Sequence, residues 1–166
     1  GQDVDKLKET FTGLAKETAS TGVTMQQASE AFKIMISNVS MFNSLNGASQ
    51  KKVSGTIAKL QKLGVQSTTS ADAINFFGRA LNMSADDAAD LTAEIAMMAQ
   101  ESDISSKQMM ENFTQLKDRI AVFGKDSTEV LRNLSLQARA AGVSVATLSG
   151  ISSKFDQFDS AVDTVA

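Results

Sequence analysis

Apolar residues recur along this chain in alternating steps of three and four, the spacing that gathers them on one face of an α-helix. Val4, Leu7, Phe11 and Leu14 begin the series, and Met25, Ala28, Phe32, Met35, Val39 and Phe42 continue it as one long stripe. It resumes at Val53, Ile57 and Leu60; at Ile74, Phe77 and Leu81; at Ala88, Leu91, Ile95 and Met98; and at Met109, Phe113, Leu116, Ile120 and Phe123. Leu131, Leu134, Ala138 and Ala141 follow, then Val145 and Leu148, and last Phe155, Phe158, Val162 and Val165. No window alternates with period two, so no strand is predicted. The pattern predicts an all-α chain of short amphipathic helices.

Between the stripes one short phrase returns: a Gly, Asn or Asp, an apolar residue, then a Ser or Thr. It reads Gly22-Val23-Thr24, Gly64-Val65-Gln66-Ser67, Asn82-Met83-Ser84, Asp103-Ile104-Ser105 and Gly142-Val143-Ser144. The first residue suits the left-handed conformation that closes a helix, and the hydroxyl suits the cap that opens the next. The apolar residue between them fits a hydrophobic staple: Met83 with Ala88, Ile104 with Met109, Val143 with Leu148. Thr24 with Gln27, Ser105 with Gln108 and Asp126 with Glu129 have the spacing of capping boxes. The phrases at Gly22, Gly64, Asp103 and Gly142 lie 42, 39 and 39 residues apart, with intermediate breaks at Gly47, Asn82 and Lys125. A quasi-repeat of about 40 residues holding two helices is the sequence form of an array or bundle of antiparallel helical hairpins.

The 166 residues contain no Cys, His, Pro, Trp or Tyr. A disulfide, a thiolate nucleophile, an imidazole base and any site ligated by His or Cys are thereby excluded, and a Ser-His-Asp triad cannot be built. The longest apolar run, Ile95 to Ala99, is far short of the ~20 residues that cross a bilayer. The first residue is Gly1 rather than Met, so the chain is expected to be a processed product or part of something longer. Charge is uneven. Residues 1–63 carry +3, residues 64–104 carry −6 and residues 105–166 are balanced, within a total of −3. That is far from a nucleic-acid footprint.

Three constellations invite a chemical reading. Asp86, Asp90 and Glu94 lie at four-residue spacing with Asp87 beside them, and carboxylates so placed could hold a hard cation. They lack the alternate positions around a Gly that a calcium loop uses, and acids in the first turn after Ser84 complement the helix dipole. Glu30, Glu94, Glu101 and Glu111 could be paired for acid–base work on a glycan, but the aromatic platforms of sugar sites are missing and the acids read as solvent-facing helix residues. Lys51, Lys52, Lys59 and Lys62 form a basic stripe with neither stacking aromatics nor a Gly-rich phosphate loop beside it, which reads as a solvated face. The pairs Phe76-Phe77, Met97-Met98 and Met109-Met110 each put one member in the core and its neighbour at the rim. Phe76, Met97, Met110 and Val122, with Phe155 and Phe158 further on, are the residues expected at a helix–helix or subunit contact.

From Gly64 to Asp159 the chain resembles segments of the tail-length tape-measure proteins of tailed bacteriophages, above all in AVFGKDSTEVLRNLSLQARAAGVSVATLSGISSKFDQFDSA, residues 121–161. In it Phe123-Gly124-Lys125 precedes a helix and Lys154-Phe155-Asp156-Gln157-Phe158-Asp159 closes the segment. The resemblance implies a non-enzymatic structural virion protein, without cofactor, small-molecule substrate or specific nucleic acid. Such proteins occupy the tail tube or tip, set tail length and leave during genome ejection. It implies as partners other copies, trimer- or hexamer-related, tail-tube subunits, the tip or baseplate hub, and a tail assembly chaperone. It also divides the chain into residues 1–63, N-terminal helices that could be extended or linker-like, and 64–166, a tape-measure-like hairpin domain. An internal scaffold or ejected capsid protein shares this composition, and a tail-associated cell-wall hydrolase is the enzymatic alternative. As one continuous helix 166 residues would span about 250 Å. A cap every ~20 residues points instead to folded hairpins and a compact anchoring or terminal domain.

Overall fold

The computed structural model describes residues 4–101, 103–120 and 126–150. The helices are α1 (Val4–Ala19), α2 (Met25–Asn38), α3 (Gly47–Lys62), α4 (Ser67–Ala80), α5 (Ala85–Glu101), α6 (Ser106–Ile120) and α7 (Ser127–Ala140), with a 3₁₀ turn at Phe42–Ser44. Residues 145–150 are again helical, and no strand occurs among the described residues. The all-α expectation holds.

The recurring phrase does what its chemistry predicts at its first position. Gly22, Gly64, Asn82, Asp103 and Gly142 adopt positive φ, between 50° and 84°, and no other described residue does. After four of them the apolar residue donates its amide to the carbonyl five residues back: Val23 to Thr18, Val65 to Leu60, Ile104 to Ala99 and Val143 to Ala138. These are Schellman closures, which satisfy carbonyls that the end of a helix otherwise leaves orphaned. The helix starts follow the expectation less evenly. Thr24 and Gln27 form a complete capping box. Ser84, Ser105 and Ser144 each accept a backbone N–H from three residues on. Gln108, however, turns its side chain to Asn112 instead of back to Ser105, so that box is half made. Asp126 makes no side-chain cap, against expectation: its backbone is helical, not in the extended conformation of a capping residue. Ser67 is likewise not the cap of α4: Gln66 takes that place without a side-chain bond, and Ser67 is drawn into the buried first turn.

The stripe from Met25 to Phe42 was expected to be one helix and is not. Helix α2 stops at Asn38, and Val39 turns extended with ψ of 104°. Asn75 of α4 fills the break: its Nδ2 donates to the Asn38 carbonyl, and its Oδ1 accepts from the Ser40 amide at 3.0 Å and the Ser40 hydroxyl at 3.2 Å. Val39 and Phe42 still reach the core, delivered by the break instead of by helical period. Val143, expected as a staple, stays 37% exposed.

Packing follows a serial rule. Helix α1 packs on α2 and α3, α2 on α3 and α4, α3 on α4 and α5, α4 on α5 and α6, α5 on α6, and α6 on α7. From α1 to α6 each helix thus meets those one and two places along, while α7 packs chiefly on α6, which is the logic of an open array in which neighbours supply one another's core. Alanines at the contacts, among them Ala28, Ala31, Ala58, Ala88, Ala89 and Ala96, allow close approach of the rods. Three buried hydroxyls satisfy themselves within their own helices: Thr18 bonds the Leu14 carbonyl, Ser54 that of Gln50 and Thr92 that of Ala88. Two aromatic groups mark the core, Phe11–Phe32–Phe42 near the N-terminal end and Phe76–Phe77–Phe113 near the middle. The buried apolar residues form one cluster from Leu14 to Val145, continuous across residue 63 through the contacts of α3 with α4 and α5. Residues 4–62 are packed helices of the same array, not an extended or linker-like segment.

Candidate functional site

The acidic and basic stripes meet each other. Lys52 of α3 donates from Nζ to Asp90 Oδ2 of α5 at 2.7 Å, in an exposed pair that joins the two helices. This hydrogen bond, against an opposing cost of desolvation and with further help from the charges of Asp90, Asp86 and Asp87, raises the Lys52 ammonium above the ordinary lysine value of 10.5. Asp87 is tied to Ser84, whose hydroxyl donates to Oδ2 at 2.7 Å while accepting the Asp87 amide. Among the described residues no three acids gather closely enough to hold a metal ion. Lys62 donates to the Thr21 carbonyl at 2.8 Å, closing the turn between α1 and α2 from α3. Three of the four acids weighed for acid–base work are similarly engaged: Glu30 accepts from Gln61 at 2.7 Å, Glu101 faces Arg132 at 3.0 Å and Glu111 pairs loosely with Lys107 at 3.9 Å. Such contacts spread along helix surfaces do not converge on one point where a reacting atom could sit.

The expected contact residues divide. Phe76 lies half-buried between α4 and α6, edge-on to Phe113 with ring centres 5.7 Å apart, and Lys117 Nζ stands 5.8 Å above its ring. It is a helix–helix contact inside the chain. Met110 was expected at the rim but is fully buried along with Met109. Helix α6 packs on α4 and α5 and also on α7, so its covered arc is wide enough to take both methionines. Met97 is 60% exposed while Met98 is buried, the split the pair predicts. Val122, Phe155 and Phe158 lie outside the described residues.

Two of the surface concavities adjoin α1. A cleft of roughly 840 Å³ between the start of α1 and the start of α3 is lined by Lys6, Glu9, Thr10, Asn46, Gln50 and Lys51 among others. Its uncharged polar side chains are occupied with structure: Thr10 donates to the Lys6 carbonyl, Gln50 to the Leu45 carbonyl, and Asn46 caps α3 by accepting the Ser49 amide. The second is a shallow apolar groove between α1 and α2, floored by Phe11, Phe32 and Ile36 and rimmed by Ser29, Lys33 and Ser37. Sequence reading missed it. Phe11 and Phe32 were assigned to the core, and the available signal was Ile36, four residues beyond Phe32 and off the Met35–Val39 line.

At the far end, Arg132 and Arg139, two turns apart on α7, reach back to Glu101 and Asp103. They clamp α7 over the turn between α5 and α6, again a structural use of charge. No family model, curated protein or solved structure matches the chain.

Proposed function

We propose that the chain is a structural virion protein: a folded segment of a phage tail-length tape-measure protein that occupies the tail tube or tip and is released with the genome. The reading starts from the resemblance over Gly64–Asp159. The observation that favours it is the serial packing rule, in which each helix depends only on neighbours one and two places away. An array of this kind can lengthen or shorten by helix pairs without rebuilding a central core, and it can open and reform from an end. Both properties suit a protein packed in a tube and expelled through it. The hairpins fit an anchoring or terminal segment better than an extended ruler. Many of the charged side chains are used in ties between helices, among them Lys52 with Asp90, Arg132 with Glu101 and Arg139 with Asp103, which supports a packing role.

The test is the protein composition of purified tails and heads, separated and read by mass spectrometry. The proposal expects the chain in tails. Recovery in heads would replace it with an internal scaffold or ejected capsid protein. Lysis of peptidoglycan that disappears on substitution of one Glu would replace it with a wall hydrolase.

A further inference from the structure

At one dipeptide of the chain a reactive side chain stands next to an unhindered backbone nitrogen. Asn46-Gly47 is the only Asn-Gly in the sequence, whereas the six other asparagines precede Val39, Ser44, Phe76, Met83, Phe113 and Leu134, each with a side chain crowding its amide. Asn46 caps α3 and Gly47 is the first helical residue, both of them exposed. The Gly47 amide is among those that the start of a helix leaves without an intrahelical partner, and no Cβ shields it. We propose that Asn46 and Gly47 form a self-modification site, at which the chain converts Asn46 to an aspartyl or isoaspartyl linkage at a rate set by the first turn of α3. Nothing in this depends on where the chain is found in a particle.

Water is the one co-reactant. The Gly47 nitrogen attacks Asn46 Cγ, and the new N–Cγ bond closes a five-membered imide as the Cγ–Nδ2 bond breaks. Nδ2 leaves as ammonia, taking the proton that Gly47 gives up. Water then opens the ring at either carbonyl. Cleavage of the bond to Cγ leaves an ordinary aspartate at position 46, while cleavage of the bond to the backbone carbonyl carbon leaves an isoaspartyl linkage, in which the main chain runs through Cβ and Cγ.

The folded chain holds this step back with two bonds. Asn46 Oδ1 accepts the Ser49 amide at 2.9 Å, and the Asn46 carbonyl accepts the Gln50 amide at 2.9 Å. At the ψ of 165° that the cap adopts, the Gly47 nitrogen stands out of the plane in which the ring must close. Asn46 has to turn about its Cα–C bond to bring that nitrogen onto Cγ. The turn swings the carbonyl away from Gln50 while the side chain leaves Ser49, so conversion proceeds from molecules in which the start of α3 has opened. Such an opening is local and costs less than global unfolding. The two products then differ in kind. An aspartate at position 46 caps a helix as well as asparagine does, and its charge suits the N-terminal dipole. It also enters a cleft lined by Lys6 and Lys51 against the single acid Glu9. The isoaspartyl linkage lengthens the backbone by a methylene and forfeits the cap, so α3 begins frayed beside α1.

Peptide mass spectrometry on the full chain, held in mild alkali both native and in guanidinium chloride, tests this. Fragmentation separates Asn46 from Asn38 and Asn43, and labelling by an isoaspartyl methyltransferase separates the two products. Asn46 is expected to convert ahead of every other asparagine, and several-fold more slowly in the native chain than in the denatured one. Gly47→Ala places a Cβ 3.5 Å from Thr10 Oγ1, at ordinary van der Waals contact, so the helices should persist while conversion at position 46 falls several-fold in both states. The denatured arm reads that block whether or not the variant folds. Asn46→Asp should keep its helical circular dichroism and melt no lower than the parent. A native chain that leaves Asn46 intact while the denatured chain converts, equal rates in the two states, denatured Gly47→Ala converting as fast as the parent, or Asn46→Asp melting below the parent overturns the proposal.

Discussion

One substitution, Gly to Ala, should change stability in opposite directions at two glycines nine residues apart. Gly64 closes α3 at φ +84°, and a Cβ built there meets nothing within 4 Å. The cost of Gly64→Ala is therefore conformational alone, about 1–2 kcal/mol for forcing an L side chain into the left-handed region. Gly55 sits mid-helix in α3, where a Cβ would lie 3.7 Å from Leu14 Cδ1 and 3.8 Å from Thr18 Cγ2, at ordinary van der Waals contact. Gly55→Ala should gain about 0.5–1 kcal/mol from helix propensity and a less flexible unfolded chain. Both residues belong to the same helix and its closing turn, so one cooperative unit reports both. For a chain of this size a change of 1 kcal/mol moves the melting temperature by roughly 2–4 °C. Gly64→Ala should therefore fall by about 2–8 °C and Gly55→Ala rise by about 1–4 °C. Urea unfolding followed at 222 nm gives the same comparison through midpoints at constant slope. Equal shifts of the same sign, or a Gly64→Ala midpoint within error of the parent, would refute the assignment of Gly64 as a left-handed closure and with it the reading of the repeated phrase.

Other perturbations follow from particular contacts. Phe113→Ala removes a side chain 1% exposed and packed 5.1 Å from Phe77 and 5.7 Å from Phe76, so it should cost about 3–5 kcal/mol in chemical denaturation. Asn75→Ala should cost about 1–2 kcal/mol, because its bonds to Asn38 and Ser40 are open to water that takes over part of them. Asn75→Asp keeps the acceptor for Ser40 and loses the donor to Asn38, and should fall between Ala and the parent. Because folding raises the Lys52 pKa, the Lys52–Asp90 tie is fully present below 10.5 and is lost as pH rises through the higher folded value. Lys52→Met should then differ from the parent by less than about 1 kcal/mol at neutral pH, and the difference should vanish in strong alkali, read from denaturation midpoints against pH.

What the sequence made legible was local chemistry. Helix closure needs only a residue tolerant of positive φ and the amide of the residue after it, and all five positions were readable from the phrase that begins with Gly, Asn or Asp. Boundaries decided at long range were not. The end of α2 is set by Asn75, 35 or more residues away in the chain, and no property of the Val39–Phe42 stripe signals that a side-chain amide from α4 will occupy the break. Met110 shows the same limit: the helical wheel places it beside Met109, but only the packing of α4, α5 and α7 around α6 decides that both are covered. The candidate sites dissolved for a related reason. The acidic stripe on α5 and the basic stripe on α3 look like separate features until the serial packing sets Lys52 against Asp90. The α1–α2 groove went unread because it exists only where Phe11 of α1 meets Phe32 and Ile36 of α2.

The decisive measurement is deletion of the gene that encodes this chain, followed by electron microscopy of the lengths of the tails that assemble and mass spectrometry of their proteins. A helical packing element of the tail interior predicts tails that are missing or altered in length, with the chain present in the parent particles and gone from the mutant. Tails of parental length and unchanged composition would contradict it.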